Sequence, residues 1–255
     1  MSNFILEFWN SQAKKFGASH EASWGDNFAI QLEIETIGKH IPAGANVLDV
    51  GCANGYSMLH HIDKAAKMTG VDFSEDMIAQ AVEIQKTLER QSDIKFEVGD
   101  VRALRFPDNA FDVVYTTRTL INLPTWSDQK QGVAECIRVC KPGGVIVFSE
   151  AFWEPLVLLN AIRQLKALEP LVEHDFNRYL KKARLEEYLG SMKLKYTVDE
   201  FSSVYYLGSR FLRELVTHPS DYAGYSNPIN EIFYNIETQF SGGGFGIQQA
   251  YIVKK

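Results

Sequence analysis

Cysteine is scarce: Cys52, Cys136 and Cys140 are the only three among 255 residues. No Cys-x-x-Cys pair or Cys/His cluster accompanies them, which argues against a zinc site or a disulfide framework and points to a reducing, cytoplasmic setting. No apolar run reaches membrane-spanning length; the greasiest stretch, Phe152–Ile162, is interrupted by Glu154, Pro155 and Asn160. The opening MSNFILEFWNSQAKK lacks a basic start and a small-residue cleavage site, so no secretion signal is read. Positive charge is not in excess either. With 26 Lys plus Arg against 32 Asp plus Glu, the formal charge is −6, and neither nucleic acid nor membrane is an expected partner.

What is present is a globular composition, 45% hydrophobic and 23% charged, of a length that suits one α/β domain. From Ala45 to Glu150 short β-branched runs alternate with longer helical patterns, the signature of parallel βαβ units. The expected strands are Val47–Val50, Met68–Asp72, Ile94–Val98, Phe111–Thr116 and Val145–Phe148; the expected helices are Tyr56–Ala66, Glu75–Arg90 and Trp126–Cys140. Ser74 stands as a cap before Met77, Ile78, Ala81, Val82 and Ile84 on one helical face. Residues 1–40 read as an N-terminal helical lid broken near Gly17–Gly25, 41–150 as the core, 151–192 as a helical insertion and 193–255 as C-terminal strands and loop. Two late β-like runs, Lys193–Ser203 and Phe245–Val253, flank a stretch that reads as loop. In such sheets ligands gather at the carboxyl ends of the strands.

Three of those ends carry an acid. Val47-Leu48-Asp49-Val50-Gly51-Cys52-Ala53-Asn54-Gly55 is an apolar strand, a small-residue turn and a helix start. Gly51 and Gly55 permit unusual dihedrals and close approach of a ligand to the backbone. The dinucleotide fingerprint G-x-G-x-x-G is missing, because Ala53 and Tyr56 occupy its second and third glycine positions. Asp72, in Gly70-Val71-Asp72-Phe73-Ser74, stands where a carboxylate accepts from both hydroxyls of a ribose. Asp100, in Gly99-Asp100-Val101, stands where one accepts from an adenine amino group. Read singly, each is equally a turn or capping residue; read together, three consecutive acidic strand ends suggest one site.

These segments, with Phe106-Pro107-Asp108-Asn109-Ala110-Phe111-Asp112 and Lys141-Pro142-Gly143-Gly144, resemble the class I S-adenosylmethionine-dependent methyltransferases over Val47 to Ser149. The resemblance implies a Rossmann-like, seven-stranded, mostly parallel sheet with helices on both faces and an antiparallel last strand, a place that Phe245–Val253 fits. It implies S-adenosylmethionine as cofactor. Gly51, Cys52 and Gly55 would line its methionine part through their backbone, and Asp49 would orient their turn. Asp72 would hold the ribose with Phe73 beside the adenine, Asp100 and Val101 would meet the adenine amino edge, and Thr117 would approach the amino acid portion. Relatives place an aromatic residue of the Trp9–Phe16 region over the methionine carboxylate, and Trp24 would cover the site or else fill the core.

Absences narrow the acceptor. Thr116-Thr117-Arg118-Thr119 replaces the Asn/Asp-Pro-Pro-aromatic motif of nucleobase amino methylation, no Pro-Cys nucleophile is present, and no acidic set suggests a metal. A small-molecule acceptor remains, in a monomer or homodimer. A hydroxyl acceptor gains from a general base; Glu150 and His174 are the candidates, with His20, His60, His61 and His218 weaker. Arg118, Asn122, Asn160, Arg163, Asn177, Tyr179 and Arg210 are polar residues among apolar neighbours and are expected to line the acceptor site. Arginine forks suit phosphate or carboxylate. This set, and a weak resemblance to enzymes of bacterial surface-polysaccharide pathways, suggests O-methylation of a phosphorylated or nucleotide-linked sugar. N-methylation of a small amine and a non-catalytic cofactor-binding subunit are the alternatives; Tyr205, Tyr206, Tyr222 and Tyr225 speak for the amine.

Overall fold

The computed structural model describes residues 3–217 and 224–255; His218 and Tyr222 lie outside them. Two N-terminal helices, α1 (Asn3–Phe16) and α2 (Asn27–Gly38), precede the sheet. Its strands are β1 (Asn46–Val50), β2 (Lys67–Asp72), β3 (Ile94–Val98), β4 (Phe111–Thr117), β5 (Cys140–Ala151), β6 (Lys195–Asp199) and β7 (Gln248–Lys254). Their order is β3-β2-β1-β4-β5-β7-β6. The first five run parallel, and β7 pairs antiparallel with both β5 and β6. The seven-stranded, mostly parallel α/β sheet expected from the sequence is therefore present. Val47, Leu48, Val50, Val113, Val114 and Tyr115 are fully or almost fully buried, as central parallel strands covered on both faces require.

The crossover helices are α3 (Tyr56–Leu59), α4 (Glu75–Gln85) and α5 (Trp126–Val139). Ser74 caps α4 through Oγ, which accepts from the Met77 N–H at 3.1 Å, and Glu75 and Asp76 suit the positive end of the helix. Two helices are shorter than expected. After Leu59 the chain runs through turns down to Ala65, anchored by the buried His61, and α4 stops where the Gln85 amide donates to the Gln91 and Ile94 carbonyls.

Beyond β5 come α6 (Trp153–Gln164) and α7 (Lys182–Ser191), with an irregular segment between them. The stretch expected to be loop before β7 is largely helical instead. It holds α8 (Ser203–Leu207), a π-helical turn at Gly208–Leu212, α9 (Arg213–Val216) and α10 (Ile229–Glu237). Pro228 was misleading there, because it stands at the N-cap of α10, where a missing N–H costs nothing. Among the described residues no helix is long and apolar enough to cross a membrane.

Two residues expected at an acceptor site instead fasten this region. The Asn160 amide donates to the Leu171 carbonyl and accepts from the Leu171 N–H, both at 2.8 Å. Arg163, 3% exposed, forks onto Glu214 with two bonds of 3.0 Å and donates to the Glu169 and Arg210 carbonyls. Replacing it by Ala leaves the half-buried Glu214 carboxylate with Arg213 alone and strands two carbonyls. Arg163→Ala is expected to lose roughly 3 kcal/mol in urea unfolding while its affinity for S-adenosylhomocysteine stays within twofold of wild type; a stability change under 1 kcal/mol would contradict this placement.

Candidate active site

The tips of β1 and β4 meet where Gly51 leaves no room for a side chain. At φ +82° a Cβ there would lie 1.9 Å from the Thr119 hydroxyl. That hydroxyl instead donates to the Val50 carbonyl at 2.9 Å. Gly55, at φ +80°, similarly admits the Phe96 ring, which a Cβ would meet at 2.7 Å. The turn after β4 is held by Glu150. Its carboxylate accepts from Thr116 Oγ1 at 2.7 Å and from the backbone N–H groups of Thr119, Leu120 and Ile121 at 3.1, 3.0 and 3.3 Å. Fully buried and occupied on both oxygens, Glu150 is placed to position this turn; it lies outside the cavity walls where a general base was expected.

A cavity of about 620 Å³, counting its open mouth, lies over these tips. Gly51, Asp72, Phe73, Val101 and Thr117 line it, as the sequence suggested, together with Ala53, Gly99 and Thr119. Asp72 fixes both neighbouring segments. Its Oδ2 accepts from the Ala53 N–H at 3.0 Å and its Oδ1 from the Ser74 N–H at 2.9 Å, which leaves further lone pairs toward the cavity. Ala53 takes the left-handed conformation, φ +47°, that a glycine usually supplies. Thr117 Oγ1 is buried without a hydrogen-bond partner on the cavity wall. Such a buried polar atom fits a polar ligand that completes it.

Other expected cofactor contacts lie elsewhere. The Asp100 carboxylate turns to Arg102, whose Nε and Nη2 donate at 3.0 and 2.6 Å and whose Nη1 reaches Asp128 at 3.0 Å. Its neighbours Gly99 and Val101 supply that part of the wall. Cys52 and Gly55 are also absent from the wall: Cys52 is buried in the core, and Gly55 is the N-cap of α3. Trp24 lines a second cavity instead.

That second cavity, about 1370 Å³ with its opening, shares Trp9, Ser23, Arg118 and Asn122 with the first. Trp24, Asn177, Tyr179, Arg210 and His174 line it, as do Phe176, Tyr206 and Tyr225; Asn160 and Arg163 do not. Its two arginines are each answered by a buried acid. Arg118, at φ +53°, donates from Nε to Glu33 at 3.2 Å and sits 5.0 Å over the Trp24 ring. Arg210 pairs with Asp26, which is 0% exposed, and lies 5.1 and 4.8 Å over Tyr206 and Tyr225. The phosphate-binding arginine trio imagined from the sequence is therefore not assembled.

The N-terminal segment roofs both cavities. Trp9 Nε1 donates to Asn122 Oδ1 at 3.3 Å, Ser74 Oγ donates to Asn10 Oδ1 at 2.6 Å, and the buried Asn54 amide donates to the Gly17 and Ser19 carbonyls at 2.8 and 2.9 Å. Glu33, Asp26 and Asn54 escaped the sequence reading; an acid inside an apolar helix, Glu33 in Ile30-Gln31-Leu32-Glu33-Ile34, was the available signal.

Burial raises several of these acids: Asp49 to about 8, only partly offset by the Tyr115 hydroxyl, Glu150 to about 7 and Asp72 to about 6. In the unfolded chain they titrate near pH 4, so the folded chain holds more protons and its stability is lost as pH rises through these values. The melting temperature is expected to fall between pH 7.5 and 8.5, a window above the titration of the buried His61 in both the folded and the unfolded chain, and Asp49→Asn is expected to flatten the fall. A rise, or an unchanged slope in the variant, would contradict the assignment. Asp72→Asn keeps one acceptor for two N–H donors, and is expected to weaken S-adenosylmethionine binding at least tenfold by calorimetry with the circular dichroism spectrum unchanged.

Comparison with known proteins agrees with this geometry. Residues 47–144 match the family model described as a methyltransferase domain. A 2-methyl-6-phytyl-1,4-hydroquinone methyltransferase of Synechocystis sp. is 32% identical over 136 residues, 49% of this chain and 41% of that protein. A ubiquinone biosynthesis O-methyltransferase of Pseudomonas entomophila is 33% identical over 149 residues, 56% of this chain and 61% of that protein. The chain thus spans less than two thirds of either relative. A crystal structure from Thermotoga maritima, described as a S-adenosylmethionine-dependent methyltransferase and possible histamine N-methyltransferase, superposes over 100% of both chains with a TM-score of 0.59 at 17% identity, a likeness of fold. Residues 47–144 are thus similar in sequence to methyltransferase domains, and the strand order and the glycine turn with its acidic strand ends agree with that similarity.

Proposed function

We propose that this chain transfers the methyl group of S-adenosylmethionine to a small molecule held in the second cavity. The observation that carries this reading is the shared wall: Trp9, Ser23, Arg118 and Asn122 border both cavities, so ligands in the two would meet there. When bound, S-adenosylmethionine supplies a methyl carbon made electrophilic by a positively charged sulfur. The roles of the chain's own groups follow from where they stand. Asp72 would accept from the ribose hydroxyls, Phe73 and Val101 would flank the adenine, and the Gly51–Ala53 backbone and the Thr117 hydroxyl would meet the amino acid portion. Trp9, Asn10 and Asn54 would hold the N-terminal helix as a lid that excludes water from the displacement.

Transfer needs little acid or base chemistry; alignment of acceptor, methyl and sulfur supplies most of the acceleration. A hydroxyl acceptor must also lose its proton. His174 borders the second cavity, its ring centroid 6.0 Å from that of Phe8 and 5.0 Å from that of Phe176, and it is the group we assign to receive that proton. A hydroxylated acceptor accords with the names of the two relatives, one acting on a hydroquinone and one an O-methyltransferase.

The test incubates the purified protein with S-adenosylmethionine and a panel of phenols, sugar phosphates and amines, measuring S-adenosylhomocysteine. Turnover is expected with a hydroxylated acceptor, and His174→Ala is expected to lower kcat about 100-fold with little change in cofactor affinity. Cofactor binding without turnover on any member would leave the chain a binding subunit and overturn the proposal.

A further inference from the structure

The second cavity continues outward. Leu156, Leu171, Val172 and His174 belong both to its wall and to that of a groove of about 840 Å³ between α6 and residues 171–178. Three polar members of this groove, Asn160, Arg178 and Glu173, are already engaged, while His174 and Asp175 are exposed. Asn160 bonds both polar groups of the Leu171 backbone, Arg178 donates to the Asp175 and Asn177 carbonyls, and Glu173 accepts from the Tyr179 N–H. Of the groove's apolar members, Trp153, Val157 and Val172 stand 38%, 49% and 78% exposed. The apolar side of the groove, Trp153, Leu156, Val157, Leu171 and Val172, leads from a ligand cavity and fits an apolar part of the ligand.

The inner cavity says what the other part is. Both of its guanidinium groups are neutralised from behind, Arg118 by Glu33 and Arg210 by Asp26, acids 1% and 0% exposed, and Glu21 adds a negative charge to the wall. A phosphate entering it would compete with carboxylates that cannot leave. Trp24, Phe176, Tyr206 and Tyr225 instead offer ring faces and edges.

We propose that the acceptor is an uncharged aromatic compound carrying an apolar chain, its ring in the inner cavity and its chain in the groove beside α6. This rests on the methyl-transfer reading above and names its substrate class.

A series of 4-ethyl-, 4-butyl- and 4-octylphenol, titrated by calorimetry below their aggregation concentrations into protein saturated with S-adenosylhomocysteine, tests it. A fully buried methylene is worth roughly a fourfold gain; in this half-open groove octyl is expected to bind at least tenfold tighter than ethyl. The variant Val157→Asp, at an exposed position of the groove that the inner cavity does not share, is expected to abolish the octyl gain and leave the ethyl affinity unchanged. Equal affinities along the series, a gain that survives in the variant, or tighter binding of glucose 1-phosphate than of 4-ethylphenol would each overturn the inference. The preceding titration with S-adenosylhomocysteine separates the two claims: no heat there sinks methyl transfer itself, whereas binding without dependence on chain length sinks only the acceptor class.

Discussion

The whole site depends on the close approach of two strand tips at Gly51. Because that residue has no side chain, the Thr119 hydroxyl reaches the Val50 carbonyl at 2.9 Å and fastens the turn after β4 to the turn after β1. The same β4 turn is held from beneath by Glu150, whose carboxylate collects one hydroxyl and three backbone donors. Cofactor cavity, acceptor cavity and their shared wall all start from this junction. Arg118, strained at φ +53°, leaves it toward the acceptor side, while Thr117 faces the cofactor side.

Two buried carboxylates, Glu33 and Asp26, do much of the remaining organisation, and both are matched to donors rather than to water. Glu33 on α2 accepts from Ser149 at 2.6 Å and pairs with Arg118, so it ties the N-terminal segment to β5 and to the acceptor wall together. Asp26 caps α2 through the Ala29 N–H, accepts from the Tyr205 hydroxyl at 2.6 Å and pairs with Arg210, which joins α2 to the region after β6. These long-range links span from 85 to 184 residues of chain, and they leave both arginines electrically answered. The result is a second cavity whose arginines are answered from behind and whose wall includes Trp24, Phe176, Tyr206 and Tyr225.

The parallel core was legible because each of its elements carries a local signature. β-Branched runs ended in Gly51, Asp72 and Gly99, and Ser74 capped an amphipathic helix. Strand limits came within two residues for β1 to β4, whereas β5 runs beyond Val145–Phe148 at both ends, because β7 pairs with it out to Ala151 and Cys140 pairs with Phe111 of β4. The functions of single polar residues were less legible. Glu150, Arg163 and Asn160 look, in sequence, like Asn122, Arg118 and Arg210: polar groups in apolar text. Only the fold tells which of them spend their hydrogen bonds on their own backbone and which face a cavity. Asp100 illustrates the same limit, since Arg102 two residues on captures it. The helices after β6 were missed because Pro219, which lies outside the described residues, Pro228 and the glycines at 242–244 read as loop.

The central claim is that the tips of β1, β2 and β4 form the cradle of the cofactor. Hydrogen exchange with and without saturating S-adenosylhomocysteine tests it at the level of single segments. The account predicts added protection of the backbone at residues 50–55, 72–77 and 99–101, together with the roof at residues 9–24, and little change in α7 or β6. Binding that protects another face of the molecule, and leaves the Gly51 turn exchanging as before, would contradict it.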